Sequence, residues 1–240
     1  MTKKRLDQSL VALGLVATRS QAESYIKLGK VTINKRVITK PGQLVSESDL
    51  ENIRFNALEQ YVSRAALKLA SAADALNLDF ADKTVLDVGS STGGFTDYAL
   101  QHGAAKVIAV DVGTNQLHPS LRDHPKVELH EKTDIRQLRA NQKIDLVVAD
   151  VSFVSLREIL PAVARLSSKE TQIVAMVKPQ FEASQGLLNK GIIKNEKLRR
   201  GILKEFENWA RQDFVIVGKA DSAIAGSKGN RERFYLLRKT

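Results

Sequence analysis

The sequence predicts an α/β protein: a doubly wound, seven-stranded sheet with helices on both faces, preceded by a small α+β unit. Three observations carry this expectation. From residue 84 to 211 short apolar runs alternate with helix-length amphipathic stretches, the pattern of parallel strands joined by crossover helices. Inside that pattern Lys83-Thr84-Val85-Leu86 leads directly into Asp87-Val88-Gly89-Ser90-Ser91-Thr92-Gly93-Gly94-Phe95, which reads as strand, glycine turn and helix start. Residues 1 to about 56 follow a different pattern, two helices and then short alternating strands.

In the first unit Leu6, Leu10, Leu13 and Leu15 recur at helical spacing. Thr18 can cap a second helix lined by Ala22, Tyr25, Ile26 and Leu28, which Gly29 ends. Val31-Thr32-Ile33 then alternates, Asn34-Lys35 turns the chain, Val37-Ile38 pairs back, and Pro41-Gly42 precedes Leu44-Val45. A short linker is expected over 57–62, without a proline or glycine run, so the expected domains are 1–56 and 63–240.

In the second unit Leu67, Leu69, Ala73 and Leu76 predict a helix ahead of a first strand at 84–88. Strands follow at about 106–110, 126–129, 144–149 and 172–177, with helices near 93–102, 156–167 and 196–211. Phe214 to Ala220 and Glu232 to Leu237, with little helix between them, predict an antiparallel hairpin at one edge.

Composition restricts the chemistry. The 240 residues carry a formal net charge of +10, which favours a polyanionic partner. Ten Lys and Arg against six Asp and Glu in residues 1–59 place +4 of that charge in the first unit, so the excess spans both. There are no cysteines, which excludes disulfides, thiolate metal sites and cysteine nucleophiles. Four scattered histidines predict no metal site. Met1-Thr2-Lys3-Lys4-Arg5 has no apolar run behind it and no stretch is long enough to span a bilayer, so the expected location is the cytoplasm, with no membrane partner.

Ligands of doubly wound sheets bind beyond the carboxyl ends of the strands. Asp87 closes the first strand, Asp111 the second, Thr133-Asp134 follows the third, Asp150 closes the fourth and Lys178 the fifth. The turn fits neither G-x-G-x-x-G nor a phosphate loop, since Phe95 follows Gly94. Its Asp-x-Gly-x-x-x-Gly-Gly spacing resembles the first motif of S-adenosylmethionine-dependent methyltransferases, although turns of this looseness also serve as plain strand-to-helix connections. The expected cofactor-binding residues are Asp87, Gly89, Ser90, Ser91, Thr92, Gly93, Gly94, Phe95, Asp111, Thr133, Asp134 and Asp150. Asp150-Val151-Ser152-Phe153 is not of the Asn-Pro-Pro-Tyr type that resembles amino-group methyltransferases, and carbon-5 pyrimidine methylation would need a cysteine. Methylation of a hydroxyl remains, for which Lys178, oriented by Asp150, is a candidate to remove a proton or stabilise an alkoxide.

The first unit, through Arg5-Leu6-Asp7, Thr18-Arg19-Ser20-Gln21-Ala22, Gly29-Lys30-Val31 and Lys40-Pro41-Gly42, resembles the αL-type RNA-binding module of small-subunit ribosomal protein S-four. That resemblance implies a basic RNA-binding face, with Arg5, Arg19, Lys27, Lys30, Lys35 and Lys40 as candidates. Tyr61 to Leu69, Asp87 to Asp97, Ala149 to Phe153 and Val177-Lys178-Pro179-Gln180-Phe181-Glu182 resemble the TlyA (hemolysin A) group of FtsJ-like ribosomal RNA 2′-O-methyltransferases. This implies a Rossmann-like methyltransferase sheet and S-adenosylmethionine as cofactor. The implied substrate is a ribose 2′-hydroxyl, with cytidine the expected nucleoside, in ribosomal RNA or a ribosomal subunit. The family's Lys-Asp-Lys-Glu set falls on Lys68, Asp150, Lys178 and Glu232; periodicity alone reads Lys68 as a solvated helix residue and Glu232 as an exposed strand residue. Ala65, Ala66 and Ser184 stand where that group is expected to carry glycines, and Arg231 and Arg233 flank the glutamate with more charge than is usual there. A mobile substrate loop is expected from Ser184 to Asn195, followed by the basic run Lys194, Lys197, Arg199 and Arg200.

Two other functions stay open at this point: a ribosome-associated RNA-binding or assembly factor without catalysis, and a membrane-active cytolysin, which a mean hydropathy of −0.21 disfavours. A monomer or weak oligomer is expected.

Overall fold

The computed structural model describes residues 3–16, 18–55, 61–183, 192–193, 195–226 and 229–240. Most of the expected 57–62 linker and of the expected loop after Ala183, including Ser184 and Lys194, lies outside them. The chain divides into two compact units, Met1–Leu67 and Lys68–Thr240.

The first unit contains β1 (Lys4–Arg5), α1 (Leu6–Ala12), α2 (Arg19–Lys27), β2 (Val31–Ile33), β3 (Arg36–Val37), β4 (Leu44–Val45), α3 (Glu47–Glu51) and β5 (Ile53–Phe55). β3, β2 and β5 form an antiparallel sheet in that order, and β1 pairs with β4. Leu6, Leu10, Ala22, Tyr25 and Ile26 are buried between these elements. Thr18 caps α2 as expected: its hydroxyl accepts the Gln21 N–H at 3.2 Å while Gln21 Oε1 accepts the Thr18 N–H at 3.3 Å. Asn34 and Lys35 take φ values of 50° and 66°, the left-handed pair of a tight hairpin turn.

Three features of this unit differ from expectation. α1 stops at Ala12, which leaves Leu13 at its C-cap and 48% exposed. α3 and β5 were not anticipated, because a five-residue helix has no room for an apolar stripe; its signal is the Ser46 and Asp49 capping box. Asp7 is buried and ion-paired to Arg5 at 2.7 Å and to Arg19 at 2.9 Å, so both arginines have donors engaged within the unit.

α4 (Ala65–Leu76) begins in the first unit and continues into the second. Then follow β6 (Thr84–Val88), α5 (Gly94–Gln101), β7 (Lys106–Val110), α6 (Pro119–Arg122), β8 (Val127–His130), β9 (Leu146–Ala149), α7 (Leu156–Leu166) and β10 (Gln172–Val177). The chain ends with α8 (Pro179–Glu182), α9 (Glu196–Ala210), β11 (Phe214–Asp221) and β12 (Arg233–Lys239). The seven-stranded sheet has the order β11-β12-β10-β9-β6-β7-β8. β6 to β10 pair in parallel, and β12 runs antiparallel to both β10 and β11. The expected edge hairpin is present, with β12 inside and β11 outermost.

Every residue of β9, and Ile173 to Val177 of β10, is buried, because helices cover both faces of the sheet. Alternation divides the strands: Leu86, Val88, Val147 and Ala175 join Ile159, Leu160 and Val163 of α7 and Leu203 and Phe206 of α9 in one core. On the other face Phe95 of α5 lies 6.3 Å from Phe234 of β12, ring to ring. The direction of strand succession reverses between β6 and β9, so a crevice opens beyond their carboxyl ends.

Candidate active site

The crevice is set by the glycine turn that follows β6. Gly89 has φ of +82°, and a Cβ there would lie 2.8 Å from the Asp150 carbonyl oxygen, so only glycine allows the two loops this close an approach. Gly93, φ +90°, precedes α5, and a Cβ there would come within 2.7 Å of Leu117 and 2.5 Å of Leu121. Beneath the turn Asp87 is fully buried and accepts the Thr96 hydroxyl at 2.7 Å through Oδ2. Burial pushes its carboxyl up to about 7, and the nearby Asp150 and Asp111 charges act in the same direction.

Next to the turn lies a cleft of about 440 Å³, a volume that suits a nucleotide-sized ligand. Gly89, Ser91, Asp111, Thr133, Asp134 and Asp150 of the predicted set line it, together with Val112, Gln116, Ser152 and Phe153. Asp87, Ser90, Gly93, Gly94 and Phe95 are buried and are not among its lining residues, nor is Thr92. Asp111 accepts the Ser91 N–H at 2.8 Å and the Gly113 N–H at 2.7 Å, one on each oxygen, and a carboxylate with these two bonds still has lone pairs for a diol. Asp134 is held by Arg136 at 2.6 Å and Thr133 donates to the Glu131 carbonyl at 2.9 Å. Asp87 Oδ1 and Ser90 Oγ are buried with no hydrogen-bond partner. A turn that only glycine permits, at the cleft wall, and a cleft-lining carboxylate at the end of β7 fit a nucleoside-bearing cofactor.

The four predicted catalytic side chains form two ion pairs. Lys178 Nζ lies 2.7 Å from Asp150 Oδ1 and donates to Ser152 Oγ at 2.6 Å. Lys68 Nζ lies 2.5 Å from Glu232 Oε2, both side chains being buried. The solvated helix and exposed strand positions that periodicity gave Lys68 and Glu232 are therefore corrected: Glu232 precedes β12 and Lys68 turns inward from α4. β12 pairs Arg233 with Val177, so Glu232, just before β12, meets the edge where Lys178 leaves β10.

Three residues in this region were not singled out from sequence. Ser152 is the second partner of Lys178. Phe153 is 92% exposed and has φ of 67°, an unfavourable conformation for an aromatic residue that marks a constrained site. Its ring lies 5.3 Å from that of Phe181, over which Lys178 Nζ sits at 5.9 Å. Glu182 joins the loops: its carboxylate accepts the Ser155 hydroxyl at 2.6 Å and the Leu156 N–H at 2.7 Å, capping α7. Of the expected basic run, Arg199 is buried against Asp221 at 2.6 Å and is not part of an exposed stripe, whereas Lys197 and Arg200 are exposed. In the first unit Lys27, Lys30, Lys35 and Lys40 are exposed, and Arg5 and Arg19 are partly exposed around Asp7. Among the described residues no group of His, Cys, Asp and Glu could hold a metal ion and no helix is long and apolar enough to cross a membrane.

Two outcomes follow from the turn. Asp87 binds its proton more tightly when folded than unfolded, so its contribution to stability is complete below about pH 4 and is lost as pH rises through about 7. Urea denaturation at pH 5 and pH 8 is expected to show a loss on the order of 2–3 kcal/mol that Asp87→Asn largely removes; the same loss in the variant would refute this origin. Gly89→Ala is expected to cost about 1–3 kcal/mol of stability and to weaken cofactor binding measured by calorimetry, since both the backbone and the Asp150 loop must shift.

Comparison with known proteins gives the family of each unit. Residues 61–239 match the FtsJ-like methyltransferase family and residues 4–50 match the S4 domain. The chain is 39% identical over 241 residues to the 16S/23S rRNA (cytidine-2′-O)-methyltransferase TlyA of Mycobacterium tuberculosis, covering 98% of this chain and 90% of that one. It is 41% identical over 180 residues to the 23S rRNA (cytidine-2′-O)-methyltransferase TlyA of Campylobacter jejuni, covering 74% and 70%. A solved structure from Streptococcus thermophilus, named as a hemolysin candidate, superposes with a TM-score of 0.74 at 37% identity over 100% of this chain and 90% of that one. The chain belongs to the FtsJ-like methyltransferase family, with an S4 domain ahead of the methyltransferase domain.

Proposed function

We propose that this chain transfers a methyl group from S-adenosylmethionine to the 2′-hydroxyl of a cytidine ribose in ribosomal RNA, in the cytoplasm. Residues 1–56 bind the RNA and residues 63–240 carry the reaction. The observation that supports this most is the pair of ion pairs, Lys178 with Asp150 and Lys68 with Glu232, at the strand edge beside a cleft of nucleotide size. The names of the Mycobacterium tuberculosis and Campylobacter jejuni relatives support the same substrate.

The residues that would hold the cofactor are Asp111 toward the ribose diol, Gly89 and Ser91 of the turn toward its polar end, and Asp150 at the reacting side, with Asp87 supporting the turn from beneath. When bound, the cofactor supplies an electrophilic methyl group on a sulfonium. Lys178 directs an N–H at the 2′-oxygen and stabilises the negative charge that grows there. Asp150 and Ser152 fix its orientation, and the carboxylates of Asp150 and Glu232 are at hand for the proton the hydroxyl releases. Phe153, exposed and constrained beside Phe181, offers a face on which an unstacked target base can lie. Lys27, Lys30, Lys35 and Lys40, with Arg5 and Arg19, contact phosphates of the folded RNA.

Lys178→Ala is expected to reduce methyl transfer to ribosomal RNA by 10²-fold or more, roughly the contribution of one positioned acid–base group, with nearly unchanged S-adenosylmethionine affinity by calorimetry. Loss of cofactor binding in that variant would make Lys178 structural and sink its assigned role. Phe153→Ala is expected to raise KM for RNA by the equivalent of about 1–3 kcal/mol, the value of stacking one base, and Phe153→Trp to restore it; equal KM values in all three proteins would rule out stacking.

A further inference from the structure

Beyond β12 and β11 three arginines gather on one acid. Arg233 Nε and Arg199 Nη2 each lie 2.6 Å from Asp221 Oδ1, and Arg231 Nη2 lies 3.4 Å from Asp221 Oδ2. Arg199 also contacts Glu196 at 3.1 Å and donates through Nε to the Arg231 carbonyl at 2.9 Å. We propose that this cluster is a binding site for a backbone phosphate of the RNA substrate, next to the nucleotide being methylated. The proposal rests on the reading of the chain as an RNA methyltransferase and adds a contact outside the first unit.

Position supports it. β12 pairs Arg233 with Val177 of β10 and with Asp221 of β11, so the cluster lies at the same strand edge as Lys178 and directly beside Glu232. Charge supports it as well. Three guanidiniums face the carboxylates of Asp221 and Glu196, and the exposed Lys197 and Arg200 add to the surplus from the first turns of α9. Arg199 and Arg233, each at 2.6 Å from Asp221, already tie β11 and β12 to α9, and Arg231 at 3.4 Å adds charge more than attachment. Like charges held this close repel, and a bound phosphate relieves that repulsion.

The three arginines also differ in how firmly they are held. Arg199 is buried and Arg233 mostly so, while the Arg231 side chain is 60% exposed and touches Asp221 only at 3.4 Å. Most of the Arg231 fork is therefore available for the two-pronged contact that guanidinium makes with phosphate. Its backbone carbonyl, held by Arg199, would stay in place if the side chain were removed.

The test uses the full chain with unmodified 16S and 23S ribosomal RNA made by transcription, comparing wild type, Arg231→Ala and Arg231→Lys over about 50–200 mM salt. Arg231→Ala is expected to weaken RNA binding several-fold and to lower the slope of log K against log salt by about one. Cofactor affinity should be unchanged, and Arg231→Lys should recover the slope without the full affinity. A wild-type slope and affinity in Arg231→Ala would overturn the phosphate site while leaving the methyltransferase reading intact. Loss of cofactor affinity in Arg231→Ala would overturn it in favour of a purely structural cluster. Failure of the wild type to bind either RNA would overturn the functional reading and this site with it.

Discussion

β12 runs against β10, and the pairing of Arg233 with Val177 brings the residue before one strand to the same edge as the residue after the other. In an all-parallel sheet Glu232 would enter its strand at the amino edge, on the far side from Asp150 and Lys178. The reversal of this one strand therefore decides that an acid from the end of the chain can reach Lys68 at 2.5 Å within the catalytic half of the molecule. The same register places Asp221 opposite Arg233, which gathers the arginine cluster beside Glu232.

Concentrating charge at this edge has an energetic consequence. A buried ion pair gains little over apolar packing of similar volume, yet removing one partner costs about 3–5 kcal/mol because the other is left uncompensated. Lys68 with Glu232 and Lys178 with Asp150 both keep each cation beside a carboxylate. Asp87 has no cation beside it and answers burial by holding its proton up to about 7. Around Asp221 the balance is reversed: despite desolvation, the guanidiniums of Arg233 and Arg199 hold that carboxyl at about 2. One edge thus carries a proton-holding acid, two neutralised pairs and a cationic surplus.

Strands covered on both faces read as continuous apolar runs, so the first polar residue beyond each was visible in the sequence as Asp111, Asp150 and Lys178. Lys68 and Glu232 were not legible that way. Lys68 is one cation among the alanines and leucines of α4, and Glu232 stands between two arginines; only tertiary pairing buries them, and the family resemblance nominated them. Arg199 misled for the same reason, its partner Asp221 being distant in sequence. The strained backbone of Phe153 has no sequence signal, since an aromatic after a strand ordinarily reads as core. α3 was signalled by Ser46 and Asp49 but lacks the apolar period that marks longer helices.

Methylation of a ribose hydroxyl at the edge of β9, β10 and β12 is the proposed reaction. Mass-spectrometric mapping of ribosomal RNA, isolated from a strain lacking this chain and incubated with the protein and labelled S-adenosylmethionine, tests it most directly. Label on the 2′-oxygen of cytidine, together with phosphodiester resistance to alkali at that position, is the expected result. Label on a base, on a ribosomal protein added to the same reaction, or nowhere would contradict it.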